Sequence, residues 1–393
     1  MRKSKNIIYI LLLSIIAFGC NEEEFLDEAP ITELSTKSFF ESSDQFEQSV
    51  NAAYSSLQGL YGVASDGYIG SAGAGSYWAF SEMRSDNTTY QHNTTDQSGH
   101  RWWYMDEFVM NAQNDLVGVC WYRSYDGIGK CNAVIHYSTD KEYENKARYM
   151  AEAKFLRALY YFHLVRYFGD VPLVTKKVGT VNEAFEGNKR TSADQVYEQI
   201  ISDLNDAKEN LPQSYTGSDQ GRATEGAART LLAKVLMWRG QYGDAATELE
   251  AVMNSGQYAL LDDYASVFDY NNENNEEMVF SIQYIEGTYN LGSVFSYRFL
   301  PWNSENRYLP HAQYLARTGM QIPTEDLMES FEEGDLRKGM IDTSFVDQTT
   351  GTYHDSIVPF TRKFMHPGHA QRAITGANFP AFRYPHVLLM LAE

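Results

Sequence analysis

The stretch "NKARYMAEAKFLRALYYFHLVRYFGDVPLV" (145–174) restricts the possible folds more than any other segment. Phe155, Leu159 and Phe162 mark one helical face, and Leu156, Tyr160, Leu164 and Tyr167 mark the next. A helix that is apolar around its girth has to be covered on several sides, so it must lie between other elements. It ends at Gly169, and Pro172 bars its continuation. Any fold open to this chain surrounds this helix with neighbours.

The neighbours are legible. "SSDQFEQSVNAAYSSLQGLYG" reads as a helix with Ser42 and Gln45 as a capping box and Phe46, Val50, Tyr54, Leu57 and Tyr61 on one face. Helical pattern returns over 114–137, and again in "SADQVYEQIISDLNDAKENL", which starts at a Ser192 cap and stops before Pro212. In "AARTLLAKVLMWRGQYGDAATELEAVMNSGQY" two amphipathic segments meet at Gly240, with small Ala245 and Ala246 opening the second. That spacing is similar to a tetratricopeptide unit, in which small residues let paired helices approach closely, and such units need stacked neighbours. The expected fold is mostly α: a tetratricopeptide-like helical repeat scaffold over 38–260, with Trp121 and Trp238 in its core. Cys120 and Cys131 would sit about 16 Å apart on one unbroken helix, too far for a disulfide. Gly127 and Gly129 between them leave a break, and hence a pairing, open.

Two regions escape this pattern. Residues 62–105 lose helical periodicity, and 261–393 reads as loop-rich and mixed. In the latter "EEMVFSIQY" alternates like a strand, "TEDLMESFEEGDLRKGM" is a short helix, and a last helix begins around Pro385. Leu388, Leu389 and Leu391 on that helix are expected to leave an apolar patch uncovered, the chain stopping at Glu393.

At the other end Arg2, Lys3 and Lys5 precede an apolar run, Ile7 to Phe18, of signal-peptide length and too short to span a bilayer. "AFGC" then places Cys20 where a bacterial lipobox is acylated and cut, so 1–19 is expected to be a signal peptide and 20–37 a lipidated acidic tether. Several acyl chains on one residue give stable anchoring where a single chain is marginal. The chain carries 52 acidic against 32 basic residues, and losing the signal takes the net charge from −20 to −23. Such a surface repels nucleic acid and anionic membranes.

Catalytic and metal motifs are thin. Among 52 carboxylates, neighbours such as those in "TEDL" or "EEGD" arise by chance and do not make a glycosidase pair. The glycines of "GSAGAGSYW" fit neither dinucleotide nor P-loop spacing. His354, His366 and His369 are expected on surface loops, and "NNENNEE" as a solvated turn without an EF-hand pattern. No enzyme activity, cofactor or metal is expected.

Read in order, Cys20, "FLDEAP" (25–30), "SFFESSDQFEQSVNAAYSSL" (38–57), "EMRSDN" (82–87), "AEAKFLRALYYFHLVRYFGDVPLV" (151–174), "GRATEGAARTLLAKVLMWRGQYGDAATELEAVMNSGQYAL" (221–260) and "RYPHVLLMLAE" (383–393) resemble the SusD/RagB family of outer-membrane nutrient-binding lipoproteins. The resemblance implies a surface-exposed protein, anchored in the outer membrane by its lipid, that binds an oligosaccharide and hands it to a SusC-like TonB-dependent transporter. It also implies a fold that continues past the last helix seen here. Glu22, Glu23 and Glu24 resemble the acidic export signal of Bacteroidetes-type lipoproteins. Alternatives are a surface scaffold whose repeats only grip another protein, a binder of peptides or another nutrient, and, least favoured, a hydrolase.

The ligand site is expected in the loops of 62–105 and 285–312. The first holds Trp78, Trp102 and Trp103, half the tryptophans of the chain, among Gly, Ser and Asn. Rigid rings beside small polar residues suit a binding surface, and sugars present apolar faces ringed by hydroxyls. The candidates are Trp78, Trp302, Trp102, Asn87, Tyr289 and Arg84. One tryptophan of "HRWWYM" could instead be core.

Overall fold

Helices packed side by side carry the fold, as seen in a computed structural model that describes residues 39–62, 77–92, 94, 99–286, 291–301, 319–346, 351–365 and 375–393. Cys20 and the segments 1–19 and 20–37 lie outside the described residues. Two units divide the chain, Met1–Phe46 and Glu47–Glu393. In the first, Phe40 packs on Phe46 with ring centroids 5.2 Å apart. The expected capping box is there: Gln45 Oε1 accepts from the N–H groups of Glu41 and Ser42, and the Gln45 N–H donates to Ser42 Oγ.

The helices in chain order are α1 (Ser43–Tyr61), α2 (His100–Asp106), α3 (Asp115–Ser138), α4 (Lys146–Phe168), α5 (Val181–Gly187), α6 (Ala193–Asn210), α7 (Glu225–Trp238) and α8 (Tyr242–Asn254). Helix α4 lies against both α3 and α6, and α7 against both α6 and α8. This is the mostly α, tetratricopeptide-like scaffold. On α4 almost everything from Tyr149 to Val165 is buried, as its all-round apolar sequence demands. The charged residues buried with it are paired. Glu152 accepts from Arg222 Nη1 at 2.9 Å, and Arg157 grips Asp203 of α6.

Helix α3 does not break at Gly127. A Cβ there would fall 2.3 Å from the Tyr160 ring, so the glycine lets α3 and α4 touch closely. Cys120 and Cys131 are therefore buried and free on one continuous helix, and burial pushes both thiols up to about 12. Gly240, at φ +72°, makes the turn between α7 and α8. Trp238 corrects the sequence reading. It is the last residue of α7, beyond the packed stretch Ala227–Leu236, and is 60% exposed rather than in the core. Trp121 is half-buried.

The two irregular regions hold more structure than their sequences suggest. Between 62 and 105 lie short 3-10 turns at Tyr77–Phe80 and Glu82–Arg84, strand β1 (Thr88–Thr89) and the start of α2. After α4, strands β2 (Val171–Pro172) and β3 (Arg190–Thr191) pair. The expected strand is β4 (Met278–Ile282). Past it come α9 (Phe295–Arg298), β5 (Ile322–Pro323), α10 (Glu325–Ser330), β6 (Ile341–Val346), β7 (Tyr353–Thr361), β8 (Phe379–Arg383) and α11 (Tyr384–Ala392). All four strand pairings among the described residues are antiparallel; β2–β3 and the β6–β7 hairpin join neighbouring segments, whereas β1 pairs with β5 and β4 with β8 across long stretches of chain. Helix α11 packs on α8, burying Val387 and Met390 and leaving Leu389 70% exposed.

Candidate functional site

Residues 77–91 gain their shape from a partner more than 200 positions away. Strand β1 pairs with β5, Thr88 opposite Pro323 and Thr89 opposite Ile322. Thr324, the N-cap of α10, accepts from Leu327 N–H and donates its hydroxyl to the Asp86 carbonyl at 2.7 Å. Its own N–H bonds the Asn87 carbonyl at 3.0 Å, and Gln91 N–H bonds the Gly319 carbonyl at 2.8 Å. From α2, Asp106 accepts from Thr89 Oγ1 and Tyr90 N–H, while burial pushes its carboxyl up.

The seam opens into a cleft of about 560 Å³, within the usual range for small-molecule sites. One wall is Trp78, Ser81, Glu82, Asn87 and Thr88 from the first region. The facing walls come from residues spread over 264–383: Tyr264, Phe268, Gln321, Phe331, Lys363, Phe364, Phe379 and Arg383 among them. The five rings Tyr264, Phe268, Phe331, Phe364 and Phe379 are partly exposed. Phe364 and Phe379 stack with centroids 5.7 Å apart, and Tyr264 meets Phe268 edge-on at 5.5 Å. Glu82 is the one carboxylate lining the cleft among the described residues. Also among them, no three His, Cys, Asp or Glu side chains gather as a metal site, and no helix is long and apolar enough to cross a membrane.

The structure sorts the expected site residues. Asn87 is exposed and lines the cleft, its backbone held by Thr324. Trp78 borders the cleft too, but it and Trp102 do not offer open stacking faces. The two rings cover each other, centroids 5.0 Å apart and 4° from parallel, and each is only 2% exposed. Phe299 closes on Trp78 edge-on at 5.2 Å, and Arg298 lies 5.7 Å from the Trp102 ring. The two rings were drawn inward because α2 folds back onto the Tyr77–Phe80 turn, where burying two indoles stabilises the junction. Arg84 points elsewhere: its guanidinium sits 4.8 Å from the Phe108 ring and donates to Met110 Sδ. Trp302 and Tyr289 lie outside the described residues, as do His366, His369 and the His354 side chain.

The cleft-lining rings of 264–379 were not among the expected site residues. Their only signal was the aromatic load of the last third of the chain, which has no period to say which side is open.

A family profile described as "Starch-binding associating with outer membrane", of SusD-like type, matches residues 24–237. SusD-like protein P25 of Formosa agariphila is 27% identical across all of this chain and 78% of its own length. The fold is similar to that of surface glycan-binding protein A from Bacteroides fluxus, with a TM-score of 0.73, 25% identity and coverage of 90% of this chain and 76% of that one. A laminarin-binding SusD-like protein shares the fold at TM-score 0.73 and 23% identity, covering 90% of this chain and 80% of its own.

Proposed function

The chain belongs to the SusD-like family, and from that premise we propose that it is a glycan-binding protein of the cell surface whose cleft holds an oligosaccharide without cleaving it. The observation that carries this reading is the cleft's make-up. Five partly exposed rings share the cleft with the carboxamides of Asn87, on the facing wall, and Gln321, on their own side. Rings suit the apolar faces of a pyranose, and amides suit its hydroxyls. A glycosidase needs two carboxyl groups across the scissile bond, and Glu82 stands without a partner carboxylate on the cleft walls described. The family description and the B. fluxus neighbour's name support a glycan as ligand.

In this proposal Asn87 and the Tyr264 and Phe331 rings touch the sugar, while Trp78, backed by Trp102, forms a rigid floor. Trp302, Tyr289 and Arg84 remain candidate contacts. Residues 1–19 direct export, Cys20 carries the lipid anchor, and 20–37 tether the body to the outer membrane. The bound glycan passes to a SusC-like TonB-dependent transporter.

A glycan array with the purified protein, followed by calorimetry on the strongest hit, tests the binding. Saturable binding without product release is expected. No glycan bound, together with recovery of a protein partner alone, would favour the reading in which the helices only grip another protein. Co-purification with a large outer-membrane barrel after mild detergent extraction tests the transporter step.

A further inference from the structure

The protein is acidic overall, with a formal charge of −20, yet the cleft wall is not. Arg337, Lys363 and Arg383 line it, against Glu82 alone on the facing side. Lys363 Nζ and Arg383 Cζ each lie 5.1 Å from the centre of the same Phe268 ring. The two cations are therefore within about 10 Å of each other, close to one screening length in physiological salt, and each feels the other. The carboxylates that answer the arginines sit behind them. Glu277, 5% exposed, meets Arg383 at 3.2 Å, and Asp335, 15% exposed, meets Arg337 at 2.6 Å; neither lines the cleft. Among the described residues no carboxylate lies within ion-pair distance of Lys363; Asp269 and Glu273 line the adjoining pocket that it also borders. What faces the ligand is a row of cationic groups on an aromatic wall.

We propose that this cleft selects acidic oligosaccharides, chains bearing carboxylate or sulfate groups, with Lys363 as the main anion contact and Arg383 and Arg337 flanking it. The proposal rests on the glycan-binding reading above. A neutral glycan offers no counter-charge to Lys363, the one of the three without a carboxylate partner, and leaves its repulsion with the nearby Arg383 guanidinium in place. An anionic group placed beside Phe268 would relieve that repulsion and accept charge-assisted hydrogen bonds. Glu82, across the cleft, opposes the same ligand and sets its orientation, with the anionic edge turned toward Phe268.

The test compares oligogalacturonate, a sulfated carrageenan oligosaccharide and neutral laminarihexaose by calorimetry. One acidic probe is expected to bind at least about tenfold tighter than the neutral one, and which of the two does so tells carboxylate from sulfate. Its affinity should fall as NaCl rises from about 50 to about 500 mM, while that of the neutral probe holds. Lys363→Gln should cost the acidic probe about tenfold and the neutral probe little. Lys363→Arg should keep the preference, and Glu82→Gln should strengthen it. Circular dichroism confirms that each variant is folded. Equal or tighter binding of neutral glycans, with Lys363→Gln without selective effect, overturns the acidic preference and leaves the glycan-binding reading standing. Binding to none of these probes, nor to any glycan of the array, overturns both.

Discussion

Arg157 on α4 and Asp203 on α6 meet in a two-pronged ion pair, Nε to Oδ2 at 2.8 Å and Nη2 to Oδ1 at 2.7 Å, with both side chains no more than 5% exposed. The remaining guanidinium nitrogen, Nη1, donates to Asn132 of α3 at 2.7 Å and to the Thr175 carbonyl at 3.1 Å. One side chain thus ties three helices and the exit of α4 together.

Removing one partner leaves a buried charge without an answer. Arg157→Met is expected to cost about 3–5 kcal/mol, measured by urea unfolding. The double variant Arg157→Met with Asp203→Leu should lose less than the sum of the single changes. Additive losses would mean that the pair is not coupled.

The stacked indoles and the exposed amide should separate stability from affinity. Trp102→Ala is expected to cost about 3–5 kcal/mol of stability, because it empties a packed layer against Trp78. Asn87→Ala should leave the melting temperature almost unchanged and weaken glycan binding by about tenfold. A stable Trp102→Ala protein that has lost only affinity would restore Trp102 as a direct ligand contact.

Glu273 links stability to pH. Burial pushes its carboxyl up to about 7, although the Asn378 N–H donates to it at 2.7 Å. The folded state therefore binds the proton more tightly than the unfolded chain. The stability from this group is fully present below about 4.5, its ordinary value, and is lost as pH rises through about 7. Glu273→Gln should melt higher than the wild type at about pH 8 and not at about pH 4.5. A difference that is the same at both pH values would remove the linkage.

The proposed anchoring through Cys20 and its acidic neighbours is open to direct test. Cys20→Ser should abolish lipid labelling and release the protein from membranes or leave it unprocessed. Alanine at Glu22, Glu23 and Glu24 should keep the lipid but lose sensitivity to external protease. Equal digestion of that triple variant and the wild type would show that the glutamates are only a solvated tether.

Where periodicity and punctuation were strong, the sequence alone determined the outcome. The all-round apolar face of α4, its stop at Gly169, the Ser192 and Ser42 caps and the Gly240 turn follow from rules that act within a few residues, and all are in place. The family resemblance was legible for the same reason, because its longest motifs lie on those helices. The site was not. Asn87 and Trp78 were picked from their own loop, but the wall they face comes from residues 264–383, joined to them by the β1–β5 pairing and tied within itself by β4–β8. Tyr264, Phe268 and Phe364 carry no local mark of being half open, just as Trp78 and Trp102 carried none of being shut against each other. A ring's exposure depends on what covers it, and that cover arrives from distant parts of the chain, so only the tertiary structure could decide which aromatics line the cleft.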